Sequence, residues 1–155
     1  MGYRSDIRIM TTKKGYDELK KYVEEHVNKY KKNNIKEGTI VDYSNYDYNL
    51  LNQTDISNLS NDESQIYFGW NYLKWYDGYE EVDAIMDGLN HLEENNFSYR
   101  YARIGEAYDD YEEKYYDSEL EEEQSLEHLS MIREFDDDWI IDQMKLNSVE
   151  NKMEV

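Results

Sequence analysis

The chain has 155 residues, no cysteine, and 36 Asp or Glu against 17 Lys or Arg, which gives a formal net charge of −19. A chain without cysteine cannot form disulfides, thiolate metal sites or a cysteine nucleophile. No apolar run approaches the roughly 18 residues of a membrane span, and the first residues lack the apolar core of a signal peptide. We therefore predict a cytoplasmic protein that does not bind membranes.

The charge is unevenly distributed along the chain. Residues 1–36 contain ten Lys or Arg against five Asp or Glu, whereas residues 37–155 contain seven against thirty-one. A surface of such acidity repels nucleic acid and attracts basic surfaces. The asymmetry predicts an interaction surface for a basic partner. The alternative explanation of the same composition is that the acidic residues only keep a tyrosine-rich protein in solution.

The first two elements are a strand and a helix. A strand is predicted over residues 3–10, because Ile7 and Ile9 alternate with Asp6, Arg8 and Met10 in the period of a half-buried strand. Thr11 or Thr12 is placed to cap a following helix, which we predict over residues 14–33. Apolar side chains recur in this helix at positions that form one buried stripe: Leu19, Tyr22, Val23, His26, Val27 and Tyr30.

The middle of the chain combines weak and strong patterns. A short strand is predicted over residues 39–43, and residues 45–64, rich in Asn, Ser and Asp, are predicted to form a long loop. The aromatic run over residues 66–76 predicts a strand whose rings mostly pack in the core. A second helix is predicted over residues 79–95. The aromatic strand is expected to direct Phe68, Trp70 and Tyr72 to one face and Tyr67, Leu73 and Trp75 to the other.

The last part of the chain is dominated by acidic residues. A strand is predicted over residues 97–104, and an acidic stretch follows it as far as Glu123. Residues 126–135 fit a strand or a helix, and their alternation favours a strand. A short docking helix is predicted over residues 139–144.

The order of these elements predicts an α+β fold. The succession β-α-β-β-α-β places two helices on one face of an antiparallel sheet, as in ferredoxin-like folds, and an acidic C-terminal extension follows. We predict a single domain over residues 1–146 and a frayed tail over residues 147–155.

Three segments resemble a known group of proteins. They are Gly2-Tyr3-Arg4-Ser5-Asp6-Ile7, Trp70-Asn71-Tyr72-Leu73-Lys74-Trp75-Tyr76, and Arg103-Ile104-Gly105-Glu106 followed by Asp109, Asp110, Glu112 and Glu113. In them the chain resembles small acidic proteins encoded by phages and prophages of low-GC bacteria. The resemblance implies a setting rather than an activity: such proteins often act by binding host defence or nucleic-acid machinery, and some imitate the charge of DNA.

The acidic segment from Glu106 to Asp138 is the strongest candidate site, with fifteen carboxylates and only Lys114 and Arg133 as basic residues. Alternate side chains of a strand lie about 6.5–7 Å apart, and each strand of B-DNA carries a phosphate about every 3.4 Å. Carboxylates arrayed on strand and loop therefore match a phosphate row in coarse spacing.

We expect this segment to occupy the basic groove of a nucleic-acid-binding host protein through an acidic, tyrosine-rich surface, as a nucleic-acid mimic that does not bind nucleic acid itself. A CRISPR effector, a restriction enzyme or a transcription factor would be such a target, and an anti-CRISPR protein is one form of such an inhibitor. The residues expected to contact the partner are Glu106, Asp109, Asp110, Glu112, Glu113, Asp117, Glu121, Glu122 and Glu123.

Other interpretations fit the same residues. The acidic segment serves only for solvation in one of them. In another, the basic first helix binds the acidic segment of a second copy, which makes a self-assembling structural phage protein. A carboxylate cluster also suits Ca²⁺ or Mg²⁺, although the EF-hand pattern does not occur.

Enzymatic motifs do not occur in the sequence. It contains no Gly-rich phosphate loop, nucleophile elbow or HExxH motif. His26, His91 and His128 have no catalytic partner close in sequence. We therefore expect neither an enzyme nor a cofactor.

Overall fold

The computed structural model describes residues 2–34, 46–131 and 135–153, except for the side chains of residues 34, 122–124 and 148–153. None of the helices in these ranges is long and apolar enough to span a membrane. In chain order, the elements are β1 (Ser5–Thr12), α1 (Lys13–Asn34), β2 (Ile56–Leu59), β3 (Gln65–Leu73), α2 (Glu80–Glu94), β4 (Tyr99–Gly105), β5 (Tyr111–Tyr116) and α3 (Asp137–Met153), with 3-10 helices at Leu50–Asn52 and Glu119–Gln124.

The five strands form one antiparallel sheet in the order β2-β3-β1-β4-β5. The central strand β1 pairs with β3 on one side and with β4 on the other. The elements from β1 to β4 follow the β-α-β-β-α-β order of ferredoxin-like folds, so the predicted α+β fold is confirmed. Strand β5 extends the sheet beside β4 and forms one of its edges.

One face of the sheet is covered by α1 and α2, and we call it the helix-pair face. Helix α1 begins after Thr12, whose hydroxyl accepts a hydrogen bond from the Gly15 N–H at 3.0 Å, as the predicted cap requires. Alternate residues of the three central strands meet the two helices in a single apolar cluster. Its largest fully buried members are Ile7, Ile9, Leu19, Phe68, Trp70, Ile85, Leu89, Leu92, Tyr99 and Tyr101.

The opposite face is packed against side chains from residues 126–131 and 135–144, and we call it the C-terminal face. Met10 and Tyr67 pack there against Leu126, Ile140 and Met144. A second, smaller cluster joins β4 to the segment before α3 through Ala102, Ile104 and Phe135. Helix α3 therefore closes the side of the sheet that α1 and α2 leave open.

A buried arginine links β1 to α3 on the C-terminal face. Arg8, whose side chain is 3% exposed, binds Asp137 through two hydrogen bonds of 2.9 and 3.0 Å. Tyr67 also donates to Asp137, at 2.8 Å. Burial alone would raise the pKa of Asp137, but the hydrogen bonds from Arg8 and Tyr67 outweigh burial and lower it. The opposing residue on β3 is Gly69, where a Cβ atom would lie 1.9 Å from the Ile7 carbonyl oxygen.

The aromatic strand departs from strict alternation at its end. Tyr72 has φ +54°, a left-handed conformation that is uncommon outside glycine, and β3 ends at Leu73. Trp75 therefore lies on the same side as Trp70, with ring centroids 5.5 Å apart, and both are buried. Tyr72 is exposed instead. The predicted core packing is confirmed for Trp70 and Trp75, but the predicted placement of Leu73 and Trp75 on the face of Tyr67 was wrong, since both pack in the cluster that contains Phe68 and Trp70.

Strand β2 lies where the sequence predicted a loop. It forms at Ile56–Leu59 and pairs with Gly69 to Ile66 of β3. This prediction was wrong because a segment as polar as Ser57-Asn58 has a weak strand propensity by itself and is held by pairing with its neighbour. The strand predicted over residues 39–43 lies outside the described residues.

The C-terminal region also differs from its predicted elements. The described part of residues 126–135 contains no strand, only a single bridge between Met131 and Phe135. Helix α3, at Asp137–Met153, is longer than the docking helix predicted over residues 139–144, and fraying of its last residues stays a prediction. Trp139 in its first turn is half exposed.

Candidate interaction surface along strand β5

Strand β5 is the most exposed strand of the sheet, and five of its six residues are open to solvent. It was predicted only as an acidic stretch, yet it pairs with β4 along its whole length. Because successive side chains of a strand point to opposite faces, Glu112 and Glu113 lie on different faces of the sheet. The predicted carboxylates therefore do not form one continuous row along this strand.

Two of the predicted partner residues bind an arginine inside the molecule. Arg103 donates two hydrogen bonds to Asp110, at 2.7 and 3.1 Å, and one to Glu112, at 3.1 Å. Tyr3 donates to Asp110 at 2.6 Å and Tyr101 donates to Glu112 at 2.7 Å. The hydrogen bonds from Arg103 and Tyr3 lower the pKa of Asp110 to about 2. We call Arg103, Asp110, Glu112, Tyr3 and Tyr101 the Arg103 cluster. Its hydrogen bonds hold Tyr3 and the turn between β4 and β5 against the sheet.

Asp117 and Glu121 also have partners within the chain. Asp117 binds the buried Arg100 at 2.7 Å. Glu121 accepts hydrogen bonds from the Thr12 hydroxyl and the Ser98 N–H. Since Thr12 caps α1, the Glu121 carboxylate lies at the positive end of that helix, where a negative charge is stabilising. Both residues contribute to the structure of the domain as well as to its surface charge.

The remaining predicted residues differ in whether another group of the protein contacts their carboxylates. Glu106 is exposed and accepts a hydrogen bond from the Arg4 N–H at 3.1 Å. The Asp109 and Glu113 side chains are exposed, and their carboxylates make no hydrogen bond or ion pair with the described part of the chain. The side chains of Glu122 and Glu123 lie outside the described residues. Among the predicted residues whose side chains the structure describes, Asp109 and Glu113 are therefore the ones whose carboxylates have no partner within it.

A groove runs between β5 and the segment 128–131 on the C-terminal face, and we call it the β5 groove. Its larger part has a volume of about 620 Å³, and a neighbouring part of about 480 Å³ shares Glu113 and Leu129 with it. The larger part is lined by Ile104, Tyr108, Asp110, Tyr111, Glu113, Leu129 and Met131, with no basic side chain among them. A carboxylate between tyrosine rings and apolar walls suits a cationic group with an aliphatic stem.

The sequence predicted a tyrosine-rich contact surface but did not identify its tyrosines. Tyr108, Tyr111 and Tyr115 are 80%, 64% and 66% exposed. Tyr111 and Tyr115 are four residues apart, a spacing that places two side chains on one face of a strand but also on one face of a helix. The position of Leu129 and Met131 beside β5 could not be predicted, because it depends on the path of the chain across the sheet.

Two further groups of polar residues are centred on His26 and His91, in the helix pair. His26 contacts Glu80 and Asp87 at 3.3 and 3.7 Å, and His91 contacts Glu18 at 2.8 Å. These contacts join α1 to α2 on the outer side of the helix pair. Among the side chains that the structure describes, no three His, Asp or Glu come together in a way that would hold a metal ion.

Comparison with known proteins found no matching protein family, no matching curated protein and no matching solved structure.

Proposed function

We propose that this protein is a binding protein whose partner is the basic surface of a nucleic-acid-binding protein, and that it binds this partner through the exposed face of β5. The observation that carries the proposal is the row Tyr111, Glu113 and Tyr115, where an uncompensated carboxylate stands between two exposed rings. Tyrosines are enriched among the residues that dominate the energy of protein interfaces.

The net charge supports a basic partner. At −19 the protein attracts basic surfaces from a distance and accelerates their encounter. The same charge opposes direct contact with nucleic acid. Proteins that bind nucleic acid carry Lys and Arg clusters, so they combine the required charge with side chains that contact both carboxylates and rings.

The geometry favours competition for a basic surface over imitation of a regular phosphate row. Glu112 and Glu113 diverge, and Asp110, Glu112 and Asp117 already bind arginines. What β5 offers is a mixed surface of rings and carboxylates. Such a surface blocks a nucleic-acid site by occupying its basic residues, without reproducing the spacing of phosphates.

The test is capture of the partner by the tagged protein from bacterial lysate across a salt series, with identification by mass spectrometry. We expect a nucleic-acid-binding protein that is retained at low salt, lost at high salt and displaced by DNA. The double variant Asp109→Lys/Glu113→Lys should lose this partner and keep its fold, because neither carboxylate has a partner inside the described chain. Asp110 and Glu112 are left unchanged, since a lysine there would face Arg103.

The matched control is Glu24→Lys/Glu25→Lys, which changes the net charge equally on the exposed side of α1. Retention by the control and loss by the β5 variant would locate the interaction. Equal weakening of both variants would mean that only the overall charge matters. Retention of the partner by the β5 variant would refute the assignment to β5.

Self-association is the second candidate, and the exposed basic side of α1 favours it. The exposed lysines of this helix are Lys14, Lys20, Lys21, Lys29 and Lys32. They complement the acidic β5 edge of another copy in charge. Light scattering of the purified protein distinguishes the two candidates: a homo-oligomer that dissociates with salt supports self-association, and a monomer at all salt concentrations excludes it.

A further inference from the structure

We propose that the larger part of the β5 groove is a binding site for an arginine side chain, presented by an extended segment of the partner. This inference rests on the proposed function and names the group that the surface recognises. The occupant is an arginine flanked by apolar residues. It is indicated by the residues that line the groove, by the charge of the groove, and by the contacts that the protein's own arginines make.

The floor of the groove leaves space beside the carboxylate. Glu113 lies opposite Ala102 on β4, and Tyr111 lies opposite Ile104. Ile104 lines the larger part of the groove and Ala102 lines the neighbouring part, so the Glu113 carboxylate stands where the two parts meet. The exposed rings of Tyr108 and Tyr111 rise beside it.

The walls of the groove fit the aliphatic part of an arginine. Ile104, Leu129 and Met131 provide apolar contacts within the same cavity, and a long cationic side chain buries its methylene groups along such a surface. Its volume of about 620 Å³ lies in the range of ligand sites, which is about 300–1,000 Å³. The space therefore accommodates an arginine together with a flanking apolar side chain.

The charge of the groove selects a cation. Two carboxylates line its larger part, and none of the described side chains that line it is basic. Asp110 is already bound to Arg103 and Tyr3, so Glu113 is the carboxylate available to an incoming group. A guanidinium accepted there would stack on Tyr111 or Tyr108 and donate hydrogen bonds to Glu113.

The molecule uses the same combination for its own arginines. Arg100 binds Asp117 at 2.7 Å and lies over the Tyr115 ring, 5.4 Å from its centroid. Arg8 binds Asp137 and lies 5.0 Å from the centroid of the Phe135 ring. Lys13 also combines a carboxylate and a ring, since its Nζ lies 2.6 Å from Asp17 and 5.5 Å from the centroid of the Tyr16 ring. Arginine adds a planar, delocalised group that donates two parallel hydrogen bonds to one carboxylate and stacks on a ring. An arginine is therefore the better match for Glu113 and its neighbouring tyrosines.

The direction of the groove determines the form of the segment. It follows β5, a strand of six residues, which spans about 20 Å at 3.3–3.4 Å per residue. The two parts of the groove meet at Glu113 and Leu129. A segment lying along them is extended over about five residues, with its arginine in the larger part.

The experiment is an NMR titration of the purified protein with the capped peptide Ala-Leu-Arg-Leu-Ala at millimolar concentration. We expect saturable shifts of the backbone amides of Tyr111, Glu113 and Leu129. The peptide with citrulline in place of arginine has the same shape and no charge, and it should bind about tenfold more weakly. The peptide with lysine should also bind more weakly than the arginine peptide.

Two protein variants complete the test. Glu113→Gln should weaken the arginine peptide about tenfold and leave the citrulline peptide nearly unchanged. Glu25→Gln on α1 makes the same change in net charge away from the groove and should have no effect. The spectrum of each variant without peptide reports whether the fold is retained.

Each outcome supports or overturns the proposal. No shift along β5, or equal affinity for arginine and citrulline, overturns it. If a basic partner is captured and lost with Asp109→Lys/Glu113→Lys while the arginine peptide does not bind the groove, the proposed function stands and this inference is wrong. If the peptide binds but no partner is captured, the arginine site stands and the proposed function fails.

Discussion

The helix-pair face and the C-terminal face of the sheet differ in what they bury. The helix-pair face is one continuous apolar cluster that includes Phe68, Trp70 and Tyr101. The C-terminal face has two smaller clusters, and two buried arginines, Arg8 and Arg100, lie beside them. The first face is stabilised mainly by removing apolar surface from water, whereas the second also depends on pairing every charge that it buries.

This difference has a consequence for mutations. Loss of an apolar side chain costs the transfer free energy of its atoms, and it costs more where the surrounding side chains cannot close the cavity that is left. Loss of one member of a buried ion pair leaves its partner uncompensated, and removing both can be almost neutral. The two faces should therefore respond differently to single and double substitutions.

The largest effect is expected for Trp70→Ala on the helix-pair face. The Trp70 ring is fully buried, and its N–H donates to the Leu50 carbonyl at 2.9 Å. We expect a loss of about 3–5 kcal/mol in the free energy of unfolding, measured by urea denaturation with circular dichroism. A loss below about 1 kcal/mol would show that this face does not hold the main core.

Arg8→Ala on the C-terminal face should have the next largest effect. It leaves Asp137 without its arginine and Tyr67 beside an unpaired carboxylate. Because the Asp137 side chain is 30% exposed, we expect a loss of about 2–3 kcal/mol, below the range for fully buried pairs. The measurement is again urea denaturation.

The control for Arg8 is the double variant Arg8→Met/Asp137→Leu. It removes both charges and keeps most of the volume, so it should recover much of the lost stability. A double variant as unstable as Arg8→Ala would contradict the distinction between the faces, since the loss would then come from the arginine's other hydrogen bonds, such as those to the Ile7 and Trp70 carbonyls, and not from an uncompensated charge.

The smallest effect concerns acid stability and the Arg103 cluster. The pKa of Asp110 is about 2 in the folded protein against an ordinary value of 3.8. The pair therefore stabilises the fold fully above about pH 4 and loses this contribution as the pH falls towards 2. Because Asp110 is partly exposed, solvent screening limits its contribution to about 1 kcal/mol.

Asp110→Asn should remove this contribution and flatten the fall in stability between pH 4 and pH 2. Asp137 has a lowered pKa as well, so some acid dependence persists in the variant. Glu25→Gln serves as the comparison, since it neutralises an exposed carboxylate outside the cluster. An identical pH profile for wild type and Asp110→Asn would show that the ion pair does not stabilise the fold.

The helix-pair face was predictable from the sequence because its signals are local. The alternation around Ile7 and Ile9 and the helical stripe of Leu19, Val23 and Val27 identify the side chains that meet there. Strand β2 was not predictable, since its pairing with β3 and not its own composition makes it a strand.

The C-terminal face could not be predicted from the sequence, because its polar residues have the pattern of a solvent-exposed strand face. Arg8 alternates with Ile7 and Ile9, so a binary pattern assigns it to water. Only the arrival of Asp137 from a distant part of the chain satisfies it. The same holds for the candidate site: its charge was visible in the sequence, but which carboxylates have internal partners depends on Arg100 and Arg103.

The positions of the three tryptophans give each face of the sheet its own fluorescence signal. Trp70 and Trp75 are buried together beneath the helix pair, while Trp139 is 47% exposed on α3. A water-soluble quencher therefore reduces the fluorescence of Trp139 at a lower concentration than that of Trp70 and Trp75. The emission of this protein is therefore a sum of two populations, one reporting the central core and the other the attachment of its last helix.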